Sequence, residues 1–472
     1  MKKEKRKPKK IVPVFLMLMT LALVIFVSVL DILPSKHLLV LTLSITFVNL
    51  IISALLLRPK TKLITKTILT VISISIISFS AISLYYGIST FSFLGNLMPS
   101  KHVTETYYVV ALNNELKIED IKDTLVFFSG SDGVEKAVKH LEEKMNLKYD
   151  FSHDIDELTT ELYNENIDAF VLEKSFHEII VDIDEEFENR THIIYEFEIR
   201  ILSSVDLKEV DPTKESFNVY LSGIDTFGKI SSSTRSDVNI VLTINPKTKD
   251  ILITNIPRDY YVQLHGTTGY KDKLTHAGIY GVDMSIKTIE DLLDIDIHYY
   301  SKLNFNSVIK IVEALGGIDV NSKYSFTSQD GYYYKQGMNS LNGERALSFV
   351  RERKSLPGGD RARGENQQEI ITSIIKKISS PTTLTRYNSI LAALDGSFET
   401  NMPRKTITDL IKMQLDDGGN WAIESANLDG FDRNEFTYTS SKLRRYVMEP
   451  DMETVENAKE QIKKVVESTT SD

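Results

Sequence analysis

The sequence predicts two α/β domains behind three membrane-spanning helices. Uncharged apolar stretches of about 20 residues occur three times within residues 1–97. Two later regions each alternate short strand-like runs with segments of helical apolar spacing. The chain has 472 residues, 42% of them hydrophobic and 25% charged, which is ordinary for a folded protein and long enough for more than one domain.

The apolar stretches lie at 11–30, 38–57 and 68–87. Each is long enough to cross a hydrocarbon core of about 30 Å. Two spans follow the first at once and no small-residue cleavage site is evident, so a signal peptide is disfavoured. Seven Lys or Arg precede the first span and four lie between the second and third, against one between the first and second. The positive-inside rule predicts a multi-pass cell-membrane protein with a cytoplasmic N-terminus and an extracellular remainder after Gly87.

Residues 104–205, here called the acidic module, are predicted to form a small α/β domain. The runs YYVVAL, DTLVFFS, DAFVLE and YEFEIRIL resemble strands, and GVEKAVKHLEEKMN has helical apolar spacing. Between Glu115 and Glu215 there are 28 acidic and 11 basic residues, and the whole chain has a net charge of -10. This balance disfavours a nucleic-acid partner and suggests a solvated module rather than a catalytic one.

A larger domain is predicted from residue 216, with its core at 216–380 and its C-terminal part at 381–472. FNVYLSGID is a strand, and VNIVLTINP with DILITNIPRD forms a hairpin. VDMSIKTIEDLLDI and FNSVIKIVEALGG are amphipathic helices on either side of the strand IHYYSKLNF. Two charged helices follow, NGERALSFVRERK and DRARGENQQEIITSIIKKI. The chain has no cysteine, which excludes disulfides, zinc-thiolate sites and thiol nucleophiles.

Both signs of charge collect at one edge of the predicted hairpin. If its strands are antiparallel, Arg258 lies beside Arg235 and Asp237. The preceding strand ends at Asp225, and antiparallel pairing brings that residue to the same edge. Strand ends are common ligand sites in α/β sheets.

A second charged run joins the two charged helices. Arg351 and Arg353 close the first, and Asp360, Arg361 and Arg363 open the second, with Gln367 one turn after Arg363. Arginine suits two-pronged contact with phosphate, and arginines at a helix start oppose the helix dipole unless an anion lies there. On spacing alone, a solvated charged face closed by surface salt bridges fits equally well.

Carboxylates among arginines favour a diphosphate held with a divalent metal. Aspartates repel phosphate unless a cation lies between them, and Mg2+ takes one or two carboxylates with phosphate oxygens and water. The alternative is that Asp225 and Asp237 merely neutralise Arg235 and Arg258.

These residues resemble the LytR–CpsA–Psr family of cell-wall glycopolymer ligases, in its streptococcal capsule type with three membrane spans. The matching pieces are LSGIDT, STRSDVNIVLTINP, ITNIPRD, GGIDVN, LNGERALSFVRERK and GGDRARGENQQ. They lie between about Phe217 and Ile378 in the family's order. The acidic module resembles an accessory domain of some members.

The resemblance implies an α/β/α sandwich that transfers a glycopolymer, such as capsular polysaccharide, from undecaprenyl pyrophosphate to a peptidoglycan sugar hydroxyl. It implies Mg2+ (or Mn2+) at Asp225 and Asp237. It implies diphosphate binding by a set of basic and amide side chains, with Asp237, Arg235 and Arg258 closest to the chemistry. That binding set is Arg235, Arg258, Arg351, Arg353, Arg361, Arg363 and Gln367.

The expected partners are the polyprenyl-pyrophosphate-linked glycopolymer, peptidoglycan, the membrane and other capsule-assembly membrane proteins. Two alternatives stay open. A polyprenyl-diphosphate phosphatase would use the same donor site with water as acceptor. A membrane regulator of capsule synthesis would act through the cytoplasmic segments, which at about ten residues each are too short for a DNA-binding domain.

Overall fold

The computed structural model describes most of the chain, namely residues 11–30, 35–96, 102–121, 124–128, 133–184, 186–202, 208–224, 234–380 and 398–469. The chain divides into two compact units. Met1–Met98 with Met402–Asn420 form one, and Pro99–Asn401 with Trp421–Asp472 form the other.

The helices of the described residues are numbered in chain order. They are α1 (Ile11–Leu30), α2 (Ser35–Leu57), α3 (Leu63–Asn96), α4 (Val134–Glu142), α5 (Ile155–Tyr163), α6 (Lys174–Ile183), α7 (Phe187–Arg190), α8 (Leu274–Ala277), α9 (Val282–Leu293), α10 (Phe305–Leu315), α11 (Gly343–Arg351), α12 (Asp360–Ile378), α13 (Arg404–Asp417) and α14 (Met452–Glu467).

The strands are numbered in the same way. They are β1 (His102–Ala111), β2 (Leu125–Phe128), β3 (Tyr149–Ser152), β4 (Ala169–Glu173), β5 (His192–Leu202), β6 (Phe217–Ile224), β7 (Val238–Asn245), β8 (Asp250–Ile256), β9 (Tyr261–Val262), β10 (Asp272–Lys273), β11 (Tyr299–Asn304), β12 (Ile318–Ser322), β13 (Phe326–Thr327), β14 (Tyr333–Tyr334), β15 (Gly337–Leu341), β16 (Phe398–Thr400), β17 (Ala422–Asn427), β18 (Gly430–Glu435) and β19 (Arg445–Pro450).

Helices α1 to α3 are long and apolar enough to cross a membrane, over Ile11–Val29, Ser35–Leu57 and Leu63–Tyr85. Helices α2 and α3 begin three and five residues before the apolar stretches predicted from the sequence. The added turns contain Lys36 and Lys66, whose long side chains can extend along a helix to an interface. A buried hydrogen bond of 2.6 Å from Asn49 Nδ2 to Thr20 Oγ1 joins α2 to α1, as polar groups do between apolar helices.

The acidic module is built on a five-stranded sheet of order β3-β2-β4-β1-β5. Strand β1 pairs antiparallel with β4 and β5, while β2 pairs parallel with β3 and β4. Helix α4 packs on one face through Ala137, Val138 and Leu141. Helices α5 and α6 cover the other face. Both faces are therefore buried, and the strands and helix predicted from the apolar spacing are confirmed.

The larger domain is an α/β/α sandwich around a six-stranded sheet of order β16-β11-β6-β7-β8-β17. Leu252 and Ile256 of β8 share one apolar core with Ile289 of α9 and with Val455 and Ile462 of α14. Helix α12 packs on the other face, where Gln368 Nε2 donates to the carbonyls of Ile253 at 3.2 Å and Ala426 at 2.8 Å. The predicted sandwich class is thus confirmed.

The central hairpin has the predicted antiparallel pairing. Asn245 faces Asp250 at the turn, and Asn239 faces Ile256 at the open end. Strand β6 is antiparallel to β7, with Gly223 opposite Val238. The end of β6, the start of β7 and the end of β8 therefore meet at one edge of the sheet, where parallel β17 also ends.

Candidate functional site

A polar cavity of about 320 Å³ lies at this edge of the sheet, against the first turns of α12. The strands and the residues next to their ends supply Asp237, Asn239, Asn255, Arg258 and Asn427 to its wall. Helix α12 supplies Asp360, Arg361, Arg363, Gly364 and Gln367, and the C-terminal part supplies Asp429, Met448 and Thr454. The cavity therefore brings together Asp237, Arg258, Arg361, Arg363 and Gln367 of the predicted site residues.

Arg258 is the most strongly paired cation of the cavity. Its Nη1 donates to Asp237 Oδ1 at 2.7 Å, and carboxylate oxygens of Asp259 and Asp360 lie at 3.5 and 4.0 Å from its Nε. Burial disfavours its charge, but these three carboxylates outweigh burial and raise the pKa of Arg258. The buried Nε still makes no hydrogen bond within the described residues. A buried donor without a hydrogen-bond acceptor costs free energy.

Arg363 faces the same cavity from α12. Its Nη2 is paired with Asp360. Burial lowers the pKa of Arg363, Asp360 opposes this effect, and the nearby guanidinium of Arg258 adds to it. The partly buried guanidiniums of Arg258 and Arg363 are close enough to repel one another, and an anion between them would reduce that repulsion.

Arg361 takes a different direction. Its guanidinium is bound to Asp429 and donates to the carbonyl of Gly430 at 2.5 Å. Its side chain is 44% exposed, so Arg361 lies at the rim of the cavity and ties α12 to the start of β18.

Arg351 and Arg353 do not line the cavity. Helix α11 ends at Arg351, whose guanidinium lies 4.4 Å from the ring centre of Phe305. The carboxylate of Glu352 then accepts from the backbone N–H of Arg353 at 3.0 Å and Ser355 at 2.9 Å, which turns the chain out of the helix. Arg353 is exposed, and its charge adds to the lowering of the Arg363 pKa.

The remaining predicted residues are Arg235 and Asp225. Arg235 is partly buried in the stretch before β7 and is absent from the cavity wall. Asp225 lies outside the described residues, directly after the end of β6.

Three asparagines of the wall were not predicted, namely Asn239, Asn255 and Asn427. Each is a polar side chain in a strand next to buried apolar neighbours, which is the signal that could have identified them. Asn239 Oδ1 accepts from the buried hydroxyl of Tyr220 at 2.7 Å, and its Nδ2 donates to the carbonyl of Ser236 at 2.9 Å. These bonds fix the stretch that carries Arg235 and Asp237.

Gly364 allows α12 to approach the sheet. A Cβ at this position would lie 2.4 Å from Asn255 Nδ2, closer than any side-chain atom tolerates. The glycine therefore sets the distance between the arginines of α12 and the strand that leads to Arg258.

The oxygen atoms of the cavity wall are compatible with a divalent cation that also binds phosphate oxygens of a substrate. The described residues contain no group of three or more His, Cys, Asp or Glu side chains that could hold a metal alone. Asp237 nevertheless supplies a carboxylate to the cavity wall, and Mg2+ characteristically completes a small set of carboxylates with phosphate oxygens and water.

Comparison with known proteins finds relatives over this domain. The model of the LytR_cpsA_psr family matches residues 182–464. The polyisoprenyl-teichoic acid–peptidoglycan teichoic acid transferase TagU of Bacillus cereus (strain AH820) is 38% identical over 203 residues, which are 43% of this chain and 66% of the relative. TagU of Enterococcus faecalis (strain ATCC 700802 / V583) is 39% identical over 206 residues, again 43% and 66%. The chain thus spans just under two thirds of these relatives.

Solved structures include similar chains. The crystal structure of Bacillus subtilis TagV is 29% identical, covers 54% of this chain and 99% of that chain, and has a TM-score of 0.46. Protein gbs0355 from Streptococcus agalactiae is 29% identical, covers 55% and 90% respectively, and has a TM-score of 0.46.

Proposed function

Because this chain belongs to the LytR–CpsA–Psr family, we propose that it is a phosphotransferase that moves a glycopolymer from a polyprenyl diphosphate to a sugar hydroxyl of peptidoglycan. The observation that carries the proposal is the cavity at the sheet edge. Its wall contains two partly buried guanidiniums, Arg258 and Arg363, with Arg361 at the rim. A diphosphate offers oxygens to which guanidinium groups bind with two parallel hydrogen bonds.

The donor and acceptor follow from the family and its named members. TagU is named as an enzyme that uses polyisoprenyl-linked teichoic acid and peptidoglycan. For this chain we propose an undecaprenyl-pyrophosphate donor that carries capsular polysaccharide. The three apolar helices support a membrane-anchored enzyme that works next to its lipid carrier. The charge distribution of the N-terminal segments supports a cytoplasmic N-terminus and an extracellular cavity.

The proposed reaction exchanges one phosphorus–oxygen bond for another. The acceptor hydroxyl oxygen attacks the phosphorus on the sugar side of the diphosphate, and the bond to the bridging oxygen breaks. Polyprenyl phosphate leaves with that oxygen and its electron pair, and the hydroxyl proton passes to a base or water. Arg258 and Arg363 stabilise the charge on the phosphoryl oxygens, which is the main contribution a protein makes to such a transfer.

A magnesium ion would supply further positive charge to the same oxygens. Asp237 would hold it together with Asp225, the residue that follows β6. Asp237 also fixes the direction of the Arg258 guanidinium through the bond of 2.7 Å.

The function is tested with full-length protein in proteoliposomes, a lipid-linked glycopolymer and peptidoglycan fragments. We expect a Mg2+-dependent product with a new phosphodiester between polymer and peptidoglycan, detected by mass spectrometry. Asp237→Asn and Arg258→Ala should each lower the rate about 100-fold or more, because each removes charge or orientation from the transition state. Full activity in both variants would refute the site. Free polymer phosphate with no linkage to peptidoglycan would instead identify a phosphatase.

A further inference from the structure

The acidic module packs directly against the larger domain, and both belong to one compact unit, apart from residues 402–420 of the larger domain. Ile279 of the larger domain is fully buried and belongs to the apolar core that covers α5 and α6 of the module. The next residue, Tyr280, meets Phe176 of α6 edge to face, with ring centres 5.3 Å apart. Two residues of the larger domain thus complete the core of the module.

A polar contact joins the same two parts of the chain. Asp156 of α5 is buried, and its Oδ2 accepts from Ser440 Oγ at 2.7 Å and from the backbone N–H of Lys442 at 3.2 Å. Arg445 Nη2 lies 3.6 Å from its other oxygen. The module therefore holds the loop that leads into β19, and β19 carries Met448 to the cavity wall.

Residues 272–280, here called the bridge segment, extend from the module contact to the cavity. The backbone N–H of Thr275 donates to the carbonyl of Arg258 at 2.8 Å, and its carbonyl accepts from Ser236 at 3.1 Å. Gly278 accepts from the backbone N–H of Thr234 at 3.2 Å. A Cβ on Gly278 would lie 2.5 Å from the Thr234 carbonyl, so the two backbones are in close contact.

Side chains of the bridge segment strengthen this link. Lys273 Nζ lies 3.1 Å from Asp259 Oδ1, and Asp259 is in turn 3.5 Å from Arg258 Nε. Asp272 is fully buried and accepts from the backbone N–H of Thr439 at 2.9 Å, next to the serine that Asp156 binds. The two module contacts therefore both lead, through a few bonded groups, to Arg258.

We propose that the acidic module is a positioning element for the diphosphate site, acting through the Phe176–Tyr280 contact and the bridge segment to fix Arg258 and Asp237. The inference rests on the proposed function. Phe176 and Tyr280 are absent from the cavity wall, so they are positioning residues rather than catalytic ones. Small displacements of a phosphate-binding group are costly, because binding and transfer depend on tenths of an ångström to about 1 Å.

The test measures binding of farnesyl diphosphate with Mg2+ to the full-length protein in detergent by isothermal titration calorimetry. We expect Phe176→Leu and Tyr280→Ala to raise Kd about fivefold or more, because Arg258 loses its fixed position. Tyr280→Phe keeps the ring and should bind like wild type. The binding stoichiometry distinguishes a loss of positioning from unfolding. A partly unfolded sample would contain fewer binding sites, but those sites would keep the wild-type Kd.

The matched control is Phe127→Leu. Phe127 is as fully buried as Phe176 but packs on the opposite face of the module sheet, away from the bridge segment. Phe127→Leu should keep Kd within about twofold of the wild-type value. The Phe176→Leu/Tyr280→Ala double variant should bind no more weakly than the weaker-binding single variant, because the two residues act as one contact. Unchanged Kd in both single variants, equal weakening by Phe127→Leu, or additive effects in the double variant would overturn the inference. Absence of binding to wild-type protein would overturn the proposed function itself.

Discussion

At the scale of single residues, the geometry of Arg258 decides what the cavity can bind. Its Nη1 is bound to Asp237 at 2.7 Å, while its Nε has no hydrogen bond in the described part of the chain. One guanidinium can satisfy an internal carboxylate and an external anion simultaneously, since its donors point in several fixed directions. The compact ammonium group of lysine cannot divide fixed N–H donors between two partners in this way.

Arg258→Lys should therefore lower kcat/KM of glycopolymer transfer about 10- to 100-fold although the charge is kept. The control is Arg200→Lys, at an exposed position on β5 of the acidic module, which should leave kcat/KM unchanged. Retention of more than half the activity by Arg258→Lys would show that charge alone suffices.

His177 is expected to make stability depend on pH. Burial lowers the pKa of His177 below the ordinary value of 6.5, with Glu188 opposing and Lys174 adding to the effect. Below about pH 6.5 the unfolded chain binds a proton that the folded module does not, so stability is complete above that pH and declines as pH falls. His177→Phe should reduce the loss in melting temperature between pH 7.5 and 5.5, measured by scanning calorimetry.

The control for this measurement is His192→Gln, because His192 is exposed at the start of β5. Its pH profile should match that of the wild type. Burial also lowers the pKa of His298, so the melting temperature of His177→Phe is expected to keep some dependence on pH. An unaltered slope in His177→Phe would contradict the prediction.

At the scale of elements, the position of α12 against the sheet is set by a glycine. An alanine in a helix interior is ordinarily favoured over glycine by about 1 kcal/mol. At position 364 we expect alanine to be less stable than glycine, because the new methyl group would lie 2.4 Å from Asn255 Nδ2. Gly364→Ala should destabilise the protein by about 1–3 kcal/mol. Thermal unfolding measures this, and a raised melting temperature would refute the close contact.

The elements near the site could be predicted unequally well. The hairpin of β7 and β8 has two apolar runs around Asn245, and antiparallel pairing then places Arg258 beside Asp237, as observed. Helix α12 begins at Asp360, as its charge pattern indicates. The pairing of β17 with β8 was missed, because two parallel strands about 170 residues apart share no local sequence signal.

Side-chain direction was the least predictable part of the site. Arg351 and Arg361 belong to the same charged run as Arg363, yet one stacks on Phe305 and the other binds Asp429. Both partners come from distant parts of the chain, so spacing along a helix carries no information about them. Asn255 was missed because a polar residue in an apolar strand has meaning only once the helix above it is known.

At the scale of the whole molecule, hydropathy and charge predict the membrane helices, whereas the orientation of the chain calls for a direct measurement. The sequence contains no cysteine, so single cysteines can be introduced without background. Glu143→Cys and Lys60→Cys place one thiol after α4 of the acidic module and one between α2 and α3, both at exposed positions.

In intact cells a membrane-impermeant maleimide should label Glu143→Cys at once and Lys60→Cys only after permeabilisation. The wild-type chain is the unlabelled control. The reverse pattern would place the cavity in the cytoplasm and remove its access to peptidoglycan.

The order in which the wall of the cavity appears along the chain has one more consequence. Asp237 is made early, whereas Asn427, Met448 and Thr454 come more than 180 residues later. A chain synthesised only as far as α12 lacks the part of the cavity wall that Asn427, Met448 and Thr454 form. The cavity is therefore complete only after synthesis has passed Thr454.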